Sequence, residues 1–350
     1  MEADMEYQQL AEPWQNDLRC TGSTEQLAAV RRMSVREGAG SGLQLIEVKN
    51  GAGLHAWFNE SHALDLLELT IDGINIGFMT KNGLQQGRAL ALPGDYARLW
   101  SGGMLATCGL RNTGPANTDD GGEYHPQHGT ILHAAAEEVS AWIDQPNREI
   151  LIRGLIRESA LFGPHLRLER TIRVPLDSAK ITWEDRLCNL SAEPEPVFLL
   201  YHFNFGWPFL SPELQLTFPP AEVIPRNGDA IRGLAEHSMI TPPSDGEPEQ
   251  VFFHYLLPGT TSVPASVRLH HPGYGLSAVL RYDPEILPVL TQWKSMKSGD
   301  YALGIEPGTS QLRGRAAEIA DGRSLSLPAF SSFSVPLSLT FTREGRHAKR

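Results

Sequence analysis

The sequence predicts an all-β fold, a large antiparallel β-sandwich with few short helices. Two segments alternate apolar and polar residues with a period of two, the pattern of a half-buried strand. The 350 residues include 33 Gly and 25 Pro, enough turn formers to join roughly 15 to 20 short strands. Strands do not alternate with long helices along the chain, which favours a sandwich over an α/β fold.

The two clearest strands lie in the middle and near the end of the chain. In LRLERTIRV, residues 166–174, apolar residues hold every second position except at Arg170. In FSVPLSLTFT, residues 333–342, the alternation is complete, and Pro336 within it indicates a sheet edge or a bulge. We predict both segments as strands with one face in the core.

Other segments carry weaker signals. Weaker strand character occurs at 43–48, 64–80, 148–158, 180–187, 197–206, 251–257, 266–271, 275–282 and 300–306. The one helical window begins at Ser23, a suitable N-cap, and is predicted to extend to about Val35. The turn-rich stretches 112–130 and 218–248 are predicted to be loops over one end of the sandwich, where binding sites are usually built.

Composition excludes several classes of function. The formal net charge is −11 and the pI about 5.6, so the chain lacks the basic surface that nucleic acid or an anionic membrane selects. The acidic start MEADMEYQQL does not resemble a secretory signal, and no stretch approaches the ~20 apolar residues of a membrane span. Three cysteines without a C-x-x-C spacing indicate reduced thiols. We therefore expect a cytoplasmic protein.

The Gly-rich loop at 109–130 holds the densest group of polar side chains. One interpretation is a metal site of Glu123, His125 and His128, since residues two apart share a face of a strand. The alternative is that these residues hydrogen-bond to the loop backbone or to a polar ligand. Composition and spacing leave both interpretations open.

Two further polar residues interrupt apolar strands. His202 lies in YHFNFGWPFL, residues 201–210, either as a satisfied core histidine or as a catalytic acid at the foot of a cleft. Glu306 ends the apolar run YALGI and precedes Pro307; a carboxylate is costly to bury unless it is paired or functional. An acid and a base from distant strands, with aromatics and a polar loop, favour a sugar-handling cleft. Motifs for serine hydrolases, nucleotide binding and zinc proteases are missing from the sequence.

Several motifs resemble one known family, the aldose-1-epimerase-like proteins of the galactose mutarotase superfamily. They are TCGLRNTG (107–114), QHGT (127–130), YHFNFGWP (201–208), YDPEILPVLTQWK (282–294) and YALGIEPGT (301–309). The resemblance implies a large antiparallel β-sandwich with a sugar site on its concave face. It also implies three segments: an N-terminal extension with a short helix (1–39), a single sandwich domain (40–343) and a basic tail (344–350).

The resemblance implies roles for individual residues. Glu306 matches the family's general base, His202 its general acid and His128 its second active-site histidine, while Arg111 resembles an arginine that binds sugar hydroxyls. We expect Asn204, Trp207 and Lys294 also to contact the substrate, with Phe205 and Trp207 beside the cleft.

The sequence also departs from the family pattern. Galactose mutarotases usually have an Asn immediately before the histidine that acts as general acid. This chain has Tyr201 at that position, before His202. Their substrate-binding aspartate has two candidates here, Asp283 and Asp300. The identity of the sugar therefore stays open.

The predicted function is interconversion of the α and β anomers of a free aldose by general acid–base ring opening, without a cofactor or a metal. The predicted partner is a small-molecule sugar. Two alternatives stay open, a non-catalytic carbohydrate-binding protein and a metal-dependent sugar isomerase. A sugar phosphate as substrate would require several cations in the cleft, for which Arg111, Lys294 and Arg313 are the candidates.

Overall fold

The computed structural model describes residues 12–87, 94–259 and 264–344. These residues form three large antiparallel sheets and one two-stranded hairpin, with four short α-helices. This confirms the predicted all-β sandwich.

The described elements are the following. The helices are α1 (Glu12–Cys20), α2 (Asp95–Leu99), α3 (Gly228–Gly233) and α4 (Arg315–Ala320). The strands are β1 (Ala29–Ser34), β2 (Gln44–Lys49), β3 (Leu54–Asn59), β4 (Asp65–Ile71), β5 (Ile74–Asn75), β6 (Leu105–Leu110), β7 (Asn117–Thr118), β8 (Tyr124–His125), β9 (Glu137–Asp144), β10 (Glu149–Ser159), β11 (His165–Pro175), β12 (Lys180–Asn189), β13 (Glu195–Phe205), β14 (Gln215–Thr217), β15 (Ala221–Pro225), β16 (Gln250–Leu256), β17 (Ala265–His271), β18 (Leu276–Tyr282), β19 (Val289–Lys297), β20 (Asp300–Gly308), β21 (Leu325–Leu327) and β22 (Ser332–Arg343).

Strand order places β13 in the middle of one sheet. The first sheet runs β1 to β5 in sequence, and an eight-stranded sheet has the order β14-β17-β18-β22-β12-β11-β10-β9. The third sheet has the order β15-β16-β19-β20-β13-β21, and β6 pairs with the other edge of β13. Apolar side chains from all three sheets form one buried core, in which Trp183 of β12 meets Phe203 of β13 with ring centroids 5.5 Å apart.

The predicted helix from Ser23 to Val35 is wrong. Ser23 does accept a hydrogen bond from the backbone of Glu25, but the turn it caps ends at Gln26, and β1 begins at Ala29. The six residues of β1 pair in antiparallel register with β2. Helix propensity is a weak preference that sheet pairing overrides here. The N-terminal helix is instead α1.

The two clearest predicted strands are present as β11 and β22. β22 lies inside its sheet, but its pairing with β18 stops at Leu337, so Pro336 is one residue beyond that ladder. Arg170 does not interrupt the buried face of β11. It points inward with its apolar neighbours and is buried among acidic and hydroxyl partners.

The predicted division into 1–39, 40–343 and 344–350 stays a prediction. β1 lies before its first boundary and pairs with β2, which lies after it. Residues 1–11 of the extension and 345–350 of the tail fall outside the described residues. Within the described part of the chain, no helix is long and apolar enough to cross a membrane, and Cys20, Cys108 and Cys188 are free thiols.

We expect Arg170→Met to destabilise the fold by about 3–5 kcal/mol, because removing one member of a buried ion cluster leaves the opposite charges unpaired. Urea unfolding measures the change in the free energy of unfolding. The control is Arg157→Met on β10, whose ion pair with Glu137 is about half exposed and should contribute at most about 1 kcal/mol. Equal losses in the two variants would contradict a structural role for the buried cluster.

Candidate active site

His202 and Glu306 lie opposite one another on two neighbouring strands. β13 and β20 are antiparallel, and the partners Leu200 with Gly308 and Phe203 with Ile305 set the register between them. Because side chains alternate across a strand, His202 and Glu306 share the face opposite to Phe203 and the core. The His202 Nε2 and Glu306 Oε1 atoms are 3.2 Å apart.

Burial shifts the pKa of both groups toward their neutral forms. The Glu306 side chain is 0% exposed and that of His202 is 7% exposed. Burial raises the pKa of Glu306 well above its ordinary value of 4.5, and the charge of Glu249 adds to this rise. Burial, with His128 as a second cause, lowers the pKa of His202 to about 3. A neighbouring carboxylate favours the imidazolium form of a histidine, but desolvation outweighs that effect at His202.

The loop from 109 to 130 brings His128 to the same place. His128 and Gly129 both have positive φ angles, +60° and +79°, and a Cβ atom on Gly129 would lie 2.0 Å from the carbonyl oxygen of Gly109. Only glycine fits at 129, and the tight turn directs His128 toward His202, with ring centroids 5.9 Å apart. Burial lowers the pKa of His128 to about 4.

Three aromatic residues that the sequence analysis missed surround the two histidines. Tyr96 lies against His128 with ring centroids 5.0 Å apart. Trp100 and Trp293 each approach His202 to 5.5 Å between centroids. Tyr96 lies within α2 and Trp100 directly follows it, in a segment without a strand signal, so the sequence pattern gave no indication of them. Trp293 pairs with Gly304, two residues before Glu306, and period-two counting would have found it.

Lys294, Trp207 and Phe205 do not join this cluster. Lys294 pairs with Leu303, on the opposite face of the sheet from Glu306, and its Nζ donates to the carbonyl of Glu236. Trp207 lies beyond the end of β13 and is 67% exposed. Phe205 has the parity of Phe203 and packs in the core against Phe209. Trp100 and Trp293 occupy the wall that we had assigned to Trp207 and Phe205.

Asn204 lies beside His202 on the same face but is fully buried. Its side-chain amide donates to the backbone carbonyls of Gly103 and His202. These bonds tie β13 to the segment that leads into β6. Asn204 therefore supports the histidine and is not exposed to a ligand in this structure.

Arg111 is held by carboxylates of the chain itself. Its guanidinium donates to Glu195 at 2.9 Å and also to Glu123, and Glu195 in turn accepts from Arg315. Arg313, the other predicted cation, pairs with Asp321. Among the described residues, the hydrogen bonds and ion pairs of Arg111 and Arg313 go to other side chains and do not reach His202 or Glu306.

The predicted metal site is not assembled as expected. Glu123 and His125 group with Asp119, with their potential ligand atoms within 4.8 Å of one another. His128 is not in this group, and its Nδ1 instead accepts from the backbone N–H of Gly114 at 3.4 Å. His125 Nε2 lies 3.0 Å from Asp119, and the Arg111 cation beside Glu123 opposes the binding of a second cation. Direct hydrogen bonding within the loop fits these contacts better.

An acidic residue does lie beside the cluster, but it is Glu249. Its carboxylate accepts from the indole N–H of Trp293 at 2.8 Å and from Arg226 at 2.5 Å. Asp283 follows β18 in the eight-stranded sheet, and Asp300 pairs with Lys81, so neither candidate aspartate is near His202. Glu249 directly precedes β16 and lies one residue beyond the predicted loop 218–248, where the sequence analysis assigned no role.

Several buried polar atoms around the cluster have no hydrogen-bond partner among the described residues. They are both carboxylate oxygens of Glu306, Nδ1 of His202, the hydroxyls of Tyr96 and Thr291, and Nε1 of Trp100. Native proteins leave few such atoms unsatisfied. Their concentration at one place indicates a site for a polar ligand or for water.

Comparisons with known proteins agree with this architecture. A family model described as a domain of unknown function, DUF4432, matches residues 40–341. Among curated proteins, none matches the chain.

Solved structures of similar fold include the crystal structure of "a putative aldose 1-epimerase" from Klebsiella pneumoniae. It is 24% identical over 91% of this chain and 86% of its own, with a TM-score of 0.84. A galactose mutarotase-like protein from Clostridium acetobutylicum is 15% identical over 91% and 99% of the two chains, with a TM-score of 0.64. A galactose 1-epimerase from Lactobacillus acidophilus is 15% identical over 90% and 99%, with a TM-score of 0.59. These likenesses confirm the resemblance at the level of fold.

We expect the imidazoles of His128 and His202 to remain neutral in the folded protein down to about pH 5, because their pKa values are lowered to about 4 and about 3. NMR of the Cε1–H resonances measures both, with His128→Asn and His202→Asn assigning the signals. In urea the same signals should titrate near 6.5, the value of a solvated imidazole. Since the unfolded chain takes up these protons first, both groups reduce stability as the pH falls below about 6.5. A midpoint near 6.5 in the folded state would contradict their burial.

Proposed function

This chain belongs to the DUF4432 family, and we propose that it is an aldose 1-epimerase-like enzyme that interconverts the anomers of a free, uncharged sugar. The observation that carries the proposal is the pair of His202 and Glu306, 3.2 Å apart on adjacent central strands. His128 and the rings of Tyr96, Trp100 and Trp293 enclose this pair.

Anomer exchange needs two proton transfers that this pair is able to make. A base takes the proton of the anomeric hydroxyl and an acid delivers one to the ring oxygen, so that the ring opens, turns about C1–C2 and closes on the other face. General acid–base catalysis of this type contributes about 10²–10⁴-fold for each transfer. In the proposed assignment Glu306 is the base and His202 is the acid.

The pair holds one transferable proton in either arrangement. Burial favours the carboxylic acid beside a neutral imidazole, and moving one proton gives the carboxylate beside an imidazolium. Sugar hydroxyls that donate to the Glu306 carboxylate favour the second form, because hydrogen bonds to a charged group stabilise it. Substrate binding therefore supplies the partners that the two Glu306 oxygens lack.

The surrounding charges support an uncharged sugar over a sugar phosphate. Arg226 is paired with Glu249, Arg111 with Glu123 and Glu195, and Lys294 lies on the other face of the sheet. Among Arg226, Arg111 and Lys294, a phosphate group would find no unpaired cation on the face of His202. The indoles of Trp100 and Trp293 offer flat apolar surface to the C–H face of a sugar, and the Glu249 carboxylate is an acceptor for a hydroxyl.

We expect Glu306→Gln and His202→Ala to abolish catalysed mutarotation, a loss of at least about 10²-fold for each missing proton transfer. Polarimetry and NMR exchange measure it with D-glucose, D-galactose, D-xylose and L-arabinose. The control is Glu318→Gln, another fully buried glutamate that pairs with Arg323 in a different part of the chain. It should keep the wild-type rate.

Unchanged mutarotation rates in the Glu306 and His202 variants would contradict the assignment of Glu306 as the base and His202 as the acid. A wild-type protein that binds a sugar without speeding anomer exchange would instead identify a carbohydrate-binding protein on the same fold.

The rate should be level between about pH 5 and pH 7. His202 takes a second proton only near its lowered pKa of about 3, and burial raises the pKa of Glu306 well above 4.5. The pair therefore holds one proton at pH 5 and keeps it until the raised pKa of Glu306 is passed. An imidazolium acid with an ordinary pKa of about 6.5 would lose activity as the pH rises past that value. The profile of kcat/KM, corrected for the spontaneous reaction, distinguishes the two cases.

A further inference from the structure

Two aromatic residues on one short segment cover both histidines of the proposed site. Tyr96 and Trp100 stack on each other with centroids 5.3 Å apart and an interplanar angle of 19°. Tyr96 lies against His128 and Trp100 against His202. All four side chains are buried, so a sugar reaches His202 only after part of this cover moves.

The helix that carries Tyr96 is not paired with any strand, whereas the strand that carries Trp293 is paired along both edges. Trp293 belongs to β19, which pairs along both edges with β16 and β20, and its indole is fixed by Glu249. α2 has only five residues and belongs to none of the sheets. Hydrogen bonds from Asn82 and Thr80 reach the carbonyl of Trp100. Local opening draws on segments with few buried contacts.

Tyr96 and Trp100 each carry one buried polar atom close to the proposed site. The Tyr96 hydroxyl and the Trp100 indole N–H are buried and unbonded among the described residues. The ring of Tyr96 lies 5.0 Å from that of His128, beside the proposed catalytic pair. Burial raises the pKa of Tyr96, and the charges of Cys108, Glu306 and Glu249 add to the rise. Buried donors without acceptors are costly, and a sugar hydroxyl is a suitable acceptor for each.

We propose that Tyr96 and Trp100 bind the sugar directly, donating from the phenol O–H and the indole N–H to two of its oxygens, and that α2 closes over the substrate when these bonds form. Both residues are thereby specificity-determining residues of the site. This inference rests on the proposed function for the nature of the ligand. It adds two hydrogen-bond donors, Tyr96 and Trp100, which lie 106 and 102 residues before His202 in the sequence. It also adds a moving helix, α2. The motifs around His128, His202 and Glu306 contain neither the donors nor the helix.

The test uses Tyr96→Phe and Trp100→Phe, which keep an aromatic ring and remove one donor each. We expect KM for the best aldose of the four named above to rise roughly 3- to 10-fold in each variant, the effect of one lost hydrogen bond, with kcat changed less. The matched control is Tyr282→Phe, since Tyr282 also has a buried hydroxyl without a partner but lies on β18 in the other sheet. It should leave KM unchanged.

Direct binding separates this inference from the proposed catalysis. Calorimetry with the same aldoses should show the same loss of affinity in Tyr96→Phe and Trp100→Phe even if the wild type exchanges no anomers. Hydrogen exchange at residues 95–100 should slow when the sugar is added. Wild-type affinity in both variants, or unchanged exchange at α2, would overturn the inference while leaving the catalytic pair intact. A wild-type protein that neither binds nor converts any of these sugars would overturn both proposals.

Discussion

The buried guanidinium of Arg170 joins the sheets at the level of the proposed catalytic pair. It donates to Asp185 on β12, to Asp65 on β4 and to the hydroxyl of Thr107 on β6. The hydroxyl of Tyr201 on β13 donates to the same Asp185. Thr107 and Tyr201 are register partners, so one cation fixes how β6 and β13 pair. A slip of one residue would turn every side chain of β13 to the other face, and His202 would enter the core.

Asp65 and Glu306 are both buried carboxyl groups, but they differ in their hydrogen-bond partners and therefore in what they can do. Asp65 accepts from Arg170 and from both the backbone and hydroxyl of Thr107, and burial nevertheless raises its pKa to about 6. Glu306 is equally buried, but among the described residues its partner within ion-pair distance is His202, which burial keeps neutral. Hydrogen bonds satisfy the first group, whereas the second group keeps its proton and its unsatisfied oxygens. The first arrangement holds strands together, and the second is suited to exchanging a proton with a ligand.

Period-two alternation made β11 and β22 predictable, because each strand position has only two faces to choose between. His202 and Glu306 were singled out instead as polar residues that interrupt apolar strands. The period-two rule, applied from Glu306 across the pairing of β19 with β20, places Trp293 on the face of Glu306 and Lys294 on the opposite face. Local signals failed where partners were distant: sheet pairing overrode the helix propensity before Val35. The cover residues on α2 and Glu249 could not be predicted, since nothing in a loop sequence encodes which strand it crosses.

The parity of β13 also changes what the departure from the family pattern means. Tyr201 stands where galactose mutarotases usually have an asparagine, and this difference had left the identity of the sugar open. In the structure Tyr201 faces the core, fully buried, with its hydroxyl on Asp185. The tyrosine at this position is therefore explained by its hydrogen bond to Asp185 in the Arg170 cluster, and it carries no information about the sugar. In the proposed enzyme, selectivity would depend instead on the groups that share the face of His202, namely the aromatic rings and the Glu249 carboxylate.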